Sequence, residues 1–206
     1  MTRIVKFPVT PPEKLGPKKV RRKRRGRDPE DFGQLNLFNQ PNIEKKEGRV
    51  VSMPQSGGFF DEALELDEQN QPDAEKYYLL AIKNKESEVD AYCNLGILKS
   101  QQGELAKSID YLTKCLELEP RHFEAHYNLA NVYSEMGNLP LAKTHYEVSI
   151  NIDPDFPNSY YNLGLVLISL KAYNEAINVI DKYIMLSPDN DHKIASELIK
   201  TLKSFA

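Results

Sequence analysis

Three asparagines stand 34 residues apart, in the segments YCNLG (92–96), HYNLA (126–130) and YYNLG (160–164): Asn94, Asn128 and Asn162. An amide side chain donates and accepts at once, so each can pair with one peptide group of an extended backbone. The other chemistry-bearing residues are fewer and more scattered. His122 and His126 are four apart, a spacing that suits a metal only if both lie on one helix; further ligands are missing from the pattern. Cys93 and Cys115 have no C-x-x-C spacing, which points to neither a disulfide scaffold nor a zinc site and suits a reducing, cytoplasmic setting, or a nuclear one if the cell has a nucleus. Nothing beside Cys93 in sequence would activate its thiol. There is no Gly-rich phosphate loop, nucleophile elbow or H-E-x-x-H. The expectation is a protein that is not an enzyme and uses no metal or cofactor.

The elements that must position these asparagines are helical. From Phe59 onward, short amphipathic helices of about a dozen residues alternate with turns. Pro120, Pro154 and Pro188 are 34 apart and each is expected to close a helix. Gly103 and Gly137 fall where a helix C-terminus needs a left-handed residue. Pro72 and Pro140 are expected just inside the start of a second helix. Gly96, Ala130 and Gly164 occupy one slot in successive units. There the first helix of each pair presses on the second, and a larger side chain would hold the backbones apart.

The 34-residue unit resembles the tetratricopeptide repeat family. The pattern W-x2-L-G-x2-Y, A-x3-F, P is carried by Tyr92, Leu95, Gly96, Leu112 and Pro120. It returns in Leu129, Ala130, Tyr133, Ala142, Tyr146 and Pro154, and again in Tyr160, Leu163, Gly164, Ala176, Ile180 and Pro188. Lys99 and Leu167 stand where Tyr is usual, Ser108 where Ala is usual, and Lys171 where the turn glycine is expected. A degraded earlier unit spans 59–88, with Ala63, Ala74, Tyr78 and Ala81 in place and a turn one residue short. The expected fold is all-α: a right-handed α-solenoid with units at 59–88, 89–122, 123–156 and 157–190. A capping helix at 191–206 is expected to bury a stripe of Ile194, Leu198 and Leu202, with Phe205 nearby.

The resemblance implies a concave wall lined by the first helix of each pair. Asn94, Asn128 and Asn162 then resemble the asparagine ladder of the repeats in O-GlcNAc transferase and some peptide-import receptors; the plainer reading is that asparagine is the common family residue there. Neighbouring groove positions are Cys93, Tyr127 and Tyr161, then Ile97, Asn131 and Leu165, flanked by Asp90, Glu124 and Glu135. Repeats that capture the C-terminal carboxylate of heat-shock chaperones use Lys and Arg at these positions, and none appears here. The expected partner is a protein segment that is extended, partly apolar and neutral or basic. Tyr127 and Tyr161 are either anchors for it or a shield over the groove floor.

The net charge of −3 divides unequally, about +8 over residues 1–58 and −11 over 59–206. Residues 1–58 hold seven of the thirteen prolines and the block KKVRRKRRGR, and read as a mostly disordered basic arm and linker. Lys18, Lys19, Arg21, Arg22, Lys23, Arg24, Arg25 and Arg27 admit three readings. They could tether nucleic acid through phosphates, serve as a nuclear import signal, or form a solvated tail that docks loosely on the acidic domain. QLNLF resembles the pentapeptide by which bacterial polymerases and repair proteins attach to the sliding clamp, with Gln34 hydrogen-bonding and Leu35, Leu37 and Phe38 apolar. An apolar island covering the first repeat is the alternative. The runner-up function is thus an adaptor tethered to DNA or to a replication or repair complex. No apolar run approaches the ~20 residues of a membrane span, so no membrane partner is expected. Self-association is left open.

Overall fold

The computed structural model describes residues 15–21, 57–187 and 192–205. Among them are nine α-helices and no strand: α1 (Phe59–Glu68), α2 (Ala74–Lys83), α3 (Glu88–Gln101), α4 (Leu105–Leu118), α5 (Phe123–Glu135), α6 (Leu139–Ile152), α7 (Pro157–Ser169), α8 (Tyr173–Leu186) and α9 (Lys193–Leu202). Each helix packs on the next, and the first helices of successive pairs, α3 on α5 and α5 on α7, also touch. This is a solenoid, in which every unit contacts only its neighbours. Its core accordingly divides into successive clusters, around Phe60 and Tyr78, around Leu112 and Leu129, and around Tyr146 and Ile180.

The helix stops are those that the spacing predicts. Gly103 and Gly137 are left-handed at φ 77°, and Asn70 and Lys171 take the same conformation at φ 54° and 62°. Lysine at 171 thus substitutes for the expected glycine without changing the turn. Pro120 and Pro154 follow α4 and α6, whereas Pro188 lies outside the described residues. Pro140 sits in the first turn of α6, as its fixed φ allows. Pro72 does not: α2 begins only at Ala74, with Asp73 before it. The turn that leads from Asn70 to the buried Ala74 is a residue shorter than its counterpart from Gly137 to Ala142, and residues 72–73 remain a turn instead of joining the helix.

The close approach at the small residues is quantitative. A Cβ on Gly96 would lie 2.6 Å from Leu112 Cγ, and one on Gly164 2.5 Å from Ile180 Cγ1. Lys99, standing where the family has tyrosine, is buried and saturated: its Nζ meets Glu75 at 2.6 Å, with Glu104 and Gln102 both at 3.0 Å. The capping helix needs one correction. Its buried stripe is Ala195, Ile199 and Leu202, with Leu198 half-buried beside it, while Ile194 is 62% exposed. At about 100° per residue, Ile194 is turned a quarter-circle away from Ala195. Phe205 packs beside Tyr173 with the rings tilted, centroids 6.0 Å apart.

Candidate functional site

Asn94, Asn128 and Asn162 project from the middles of α3, α5 and α7 and are almost fully buried. What buries them is the chain's own residues 15–21, LGPKKVR, which cross the first helices in extended form. Leu15 N–H donates to Asn162 Oδ1 (2.9 Å), and Asn162 Nδ2 donates back to Leu15 O (3.0 Å). Lys18 and Asn128 exchange the same pair at 3.0 Å each. Val20 and Asn94 do so at 2.8 and 2.9 Å. Each amide therefore saturates both polar groups of one residue, which is why a side chain carrying donor and acceptor together suits the position. The segment runs against the order of the repeats, from α7 toward α1. For residues 15–21 this corrects the expectation of a disordered arm; the remainder of 1–56 lies outside the described residues.

Side chains add a second layer. Leu15 packs on the C-terminal core cluster and Val20 on the middle one. Lys18 Nζ stands 5.8 Å from the centre of the Phe156 ring. Lys19 Nζ reaches Asp67 Oδ1 at 2.8 Å, and Arg21 reaches Glu68 at 2.7 Å. The Lys19 contact matters most, because Asp67 is only 3% exposed and its other oxygen accepts from Tyr78 Oη at 3.0 Å. A carboxylate so placed is costly without a countercharge. Burial and Asp67 together push the Tyr78 hydroxyl far above the usual phenol range, so it stays a donor.

The other expected groove residues divide. Tyr127 is buried, and its hydroxyl lies 2.9 and 2.8 Å from the carbonyls of Leu15 and Gly16; burial pushes its pKa up to about 12. Asn131 accepts from Asn162 Nδ2 at 3.0 Å, and its own Nδ2 has no partner among the described residues. Ile97 and Asn131 line a half-open cavity of about 340 Å³ between α3, α4 and α5, bordered by Leu15, Gly16 and Pro17; Glu135 and Ser108 line it too. The Ser108 hydroxyl is fully buried and unpartnered among the described residues. Leu165 belongs to the apolar cluster under Leu15. Tyr161 packs on Tyr183, centroids 4.9 Å apart, and makes no hydrogen bond to the segment. Of the basic residues, Lys18, Lys19 and Arg21 face the domain, while Arg22, Lys23, Arg24, Arg25 and Arg27 lie outside the described residues, as do Gln34, Leu35, Leu37 and Phe38.

Two clusters escaped the sequence. Cys93, Cys115 and His122 bring their ligand atoms within 4.8 Å of one another, because α3, α4 and the start of α5 converge there. Both imidazole nitrogens are already engaged. Nδ1 accepts from Ala125 N–H at 3.2 Å, which leaves the proton on Nε2, 3.4 Å from Asp90 Oδ1. Burial and the Cys115 neighbour push the Cys93 thiol well up, so it is held protonated. The second cluster is His126 with His145, Nδ1 to Nδ1 at 3.0 Å. Asp67 and Glu68 were also unmarked: they sit in the degraded unit, where no motif distinguishes them.

A family model described as tetratricopeptide repeat matches residues 87–155, and a second of the same description matches 157–190. The chain belongs to the tetratricopeptide repeat family. No curated protein matches it. Among solved structures it is similar to MamA, at 22% identity and a TM-score of 0.62 over 71% of this chain and 79% of that one. The first repeat domain of Spaghetti (RPAP3), solved bound to the HSP90 peptide SRMEEVD, is similar at 18% identity and a TM-score of 0.53, covering 57% and 91%. The Sgt2 repeat domain from Aspergillus fumigatus is similar at 24% and 0.53, covering 58% and 79%. At these identities the likeness concerns the fold.

Proposed function

We propose that this tetratricopeptide repeat protein is a non-enzymatic interaction module that grips an extended segment of a partner protein along its concave groove, by the main chain. The observation that carries the reading is the threefold amide exchange. Asn94, Asn128 and Asn162 each hold both polar groups of one residue in an extended strand. Main-chain pairing of this kind supplies affinity with little demand on sequence, and side-chain contacts supply the selection. The wall pairs Asp67 with Lys19 and Glu68 with Arg21, so the segment it suits is basic. The acidic SRMEEVD peptide of the RPAP3 structure is of the opposite kind.

The test is the joint substitution Asn94→Ala, Asn128→Ala and Asn162→Ala, made in a chain whose own segment has been unseated by Leu15→Asp and Lys19→Glu so that only the partner's hold on the amides is read. With six net-favourable hydrogen bonds removed, affinity for a purified protein partner should fall at least about a hundredfold, each bond contributing about 0.5–1.5 kcal/mol. The helical circular dichroism should be unchanged. Equal affinity in a folded triple variant rejects the reading.

A further inference from the structure

The groove is closed by the chain that builds it. Every amide of the ladder is spent on residues 15, 18 and 20, so no second strand can use them until the first leaves. The closure is local: Arg21 ends at Glu68 on α1, the helix that begins two residues after Gly57. The 35 intervening residues could reach about 115 Å if extended, far more than α1 is long. A tether of this kind holds its end at an effective concentration on the order of millimolar.

The occupant also fits imperfectly, and the misfit has a place. Leu15, Gly16 and Pro17 border the half-open 340 Å³ pocket without filling it. Ser108 and Asn131 are among its lining residues, and Ser108 Oγ and Asn131 Nδ2, both buried, find no partner among the described residues. A Cβ added at Gly16 would meet nothing within 4 Å, so a side chain can leave the backbone there without a clash. By contrast, Lys19 fits closely on Asp67, a buried carboxylate that must stay paired.

We propose that residues 15–21 are a tethered competitor for the groove, which a partner's basic strand must displace. We further propose that the displacing strand keeps a cation at the Lys19 position and carries a longer, hydrogen-bonding side chain where this chain has Gly16. This rests on the main-chain grip proposed above. The arm then sets a threshold: a strand that merely copies residues 15–21 competes poorly with a tethered copy, and one that fills the cavity gains what the arm forgoes.

The probe is a fluorescein-labelled synthetic peptide of residues 11–24, PPEKLGPKKVRRKR, and the same peptide with Gly16→Gln. The proteins are the full chain, the full chain with Leu15→Asp and Lys19→Glu, and that double variant with the three asparagines changed to alanine. The arm-released chain should bind the probe at least about tenfold more tightly than the unaltered chain. The Gln probe should bind it about fivefold or more tightly than the Gly probe, and the alanine variant should bind neither. Leu15→Asp alone, which leaves Lys19 on Asp67, should fall between. Equal binding by the unaltered and released chains overturns the tethered competitor while leaving the groove reading standing. No binding to the released chain, folded by circular dichroism, removes the groove reading itself. A Gln probe no tighter than the Gly probe overturns the cavity requirement. A second copy's arm as the occupant would appear as dimers in light scattering and likewise overturns the tether.

Discussion

His126 and His145 share a single proton across their Nδ1 atoms, and its owner can be deduced. His126 Nε2 lies 3.2 Å from Pro120 O, which can only accept, so that nitrogen carries hydrogen and His126 Nδ1 is the acceptor. His145 Nδ1–H therefore donates to it. Protonating both rings would set two N–H groups face to face. Burial, with the neighbouring ring, holds the His145 pKa down at about 4, and burial lowers that of His126 as well. Bases whose folded pKa is depressed leave the fold binding fewer protons than the unfolded chain, so their stabilisation is full above about pH 6.5 and is lost as pH falls toward 4. His122 acts in the opposite sense: burial pulls its pKa down, but Asp90, with Cys115 and Glu124 beside it, outweighs that and raises it. A single substitution separates the two effects. His145→Gln should show a smaller drop in urea midpoint between pH 7 and pH 5 than the unaltered chain, and an identical drop would show that the pair carries no linkage.

At the scale of the helix pair, the glycine slots convert spacing into packing. Gly96→Ala would force its Cβ against Leu112 Cγ, a branch point that cannot swing aside as a flexible tip would. The expected loss is about 1–3 kcal/mol, read as a lowered urea midpoint at unchanged slope; a midpoint equal to the parent's would show that the α3–α4 contact relaxes freely. These elements were legible in the sequence because Gly103, Gly137, Pro120 and Pro154 act through the backbone alone, whatever they pack against. Pro72 and Ile194 misled for the converse reason. Whether a helix starts at one residue or two later, and which stripe it buries, depends on the unit beside it. The proximity of Cys93, Cys115 and His122 had no local signal, since three elements contribute one residue each.

Across the whole molecule, the ladder positions were readable as a matched set and docking of the tail on the acidic domain was among the readings of its cations, but the tail's main-chain hold on the ladder was not. The signal was present in LGPKKVR, where Leu15 and Val20 bracket the cations, but the dense positive charge around them reads as self-repelling. The acidic wall, and Asp67 in particular, reverses that balance once folded. The segment bonds to α3, α5 and α7 and pairs with α1, so it links units that otherwise touch only neighbours. Such a link raises cooperativity in an array whose stability is a sum of neighbour terms. The Leu15→Asp, Lys19→Glu chain should therefore unfold in urea with a broader transition and a lower apparent slope, its N-terminal unit melting first by hydrogen exchange. A transition as steep as the parent's would show that the repeats couple without it.

Between Arg21 and Gly57 a cut would act on the tether that joins the segment to the repeats. Severing a peptide bond there leaves residues 15–21 on the repeats, yet the two fragments no longer share a fate. What had been a unimolecular latch becomes an encounter that dilution undoes, and the shorter fragment, with its cations, is set loose as a ligand for other copies.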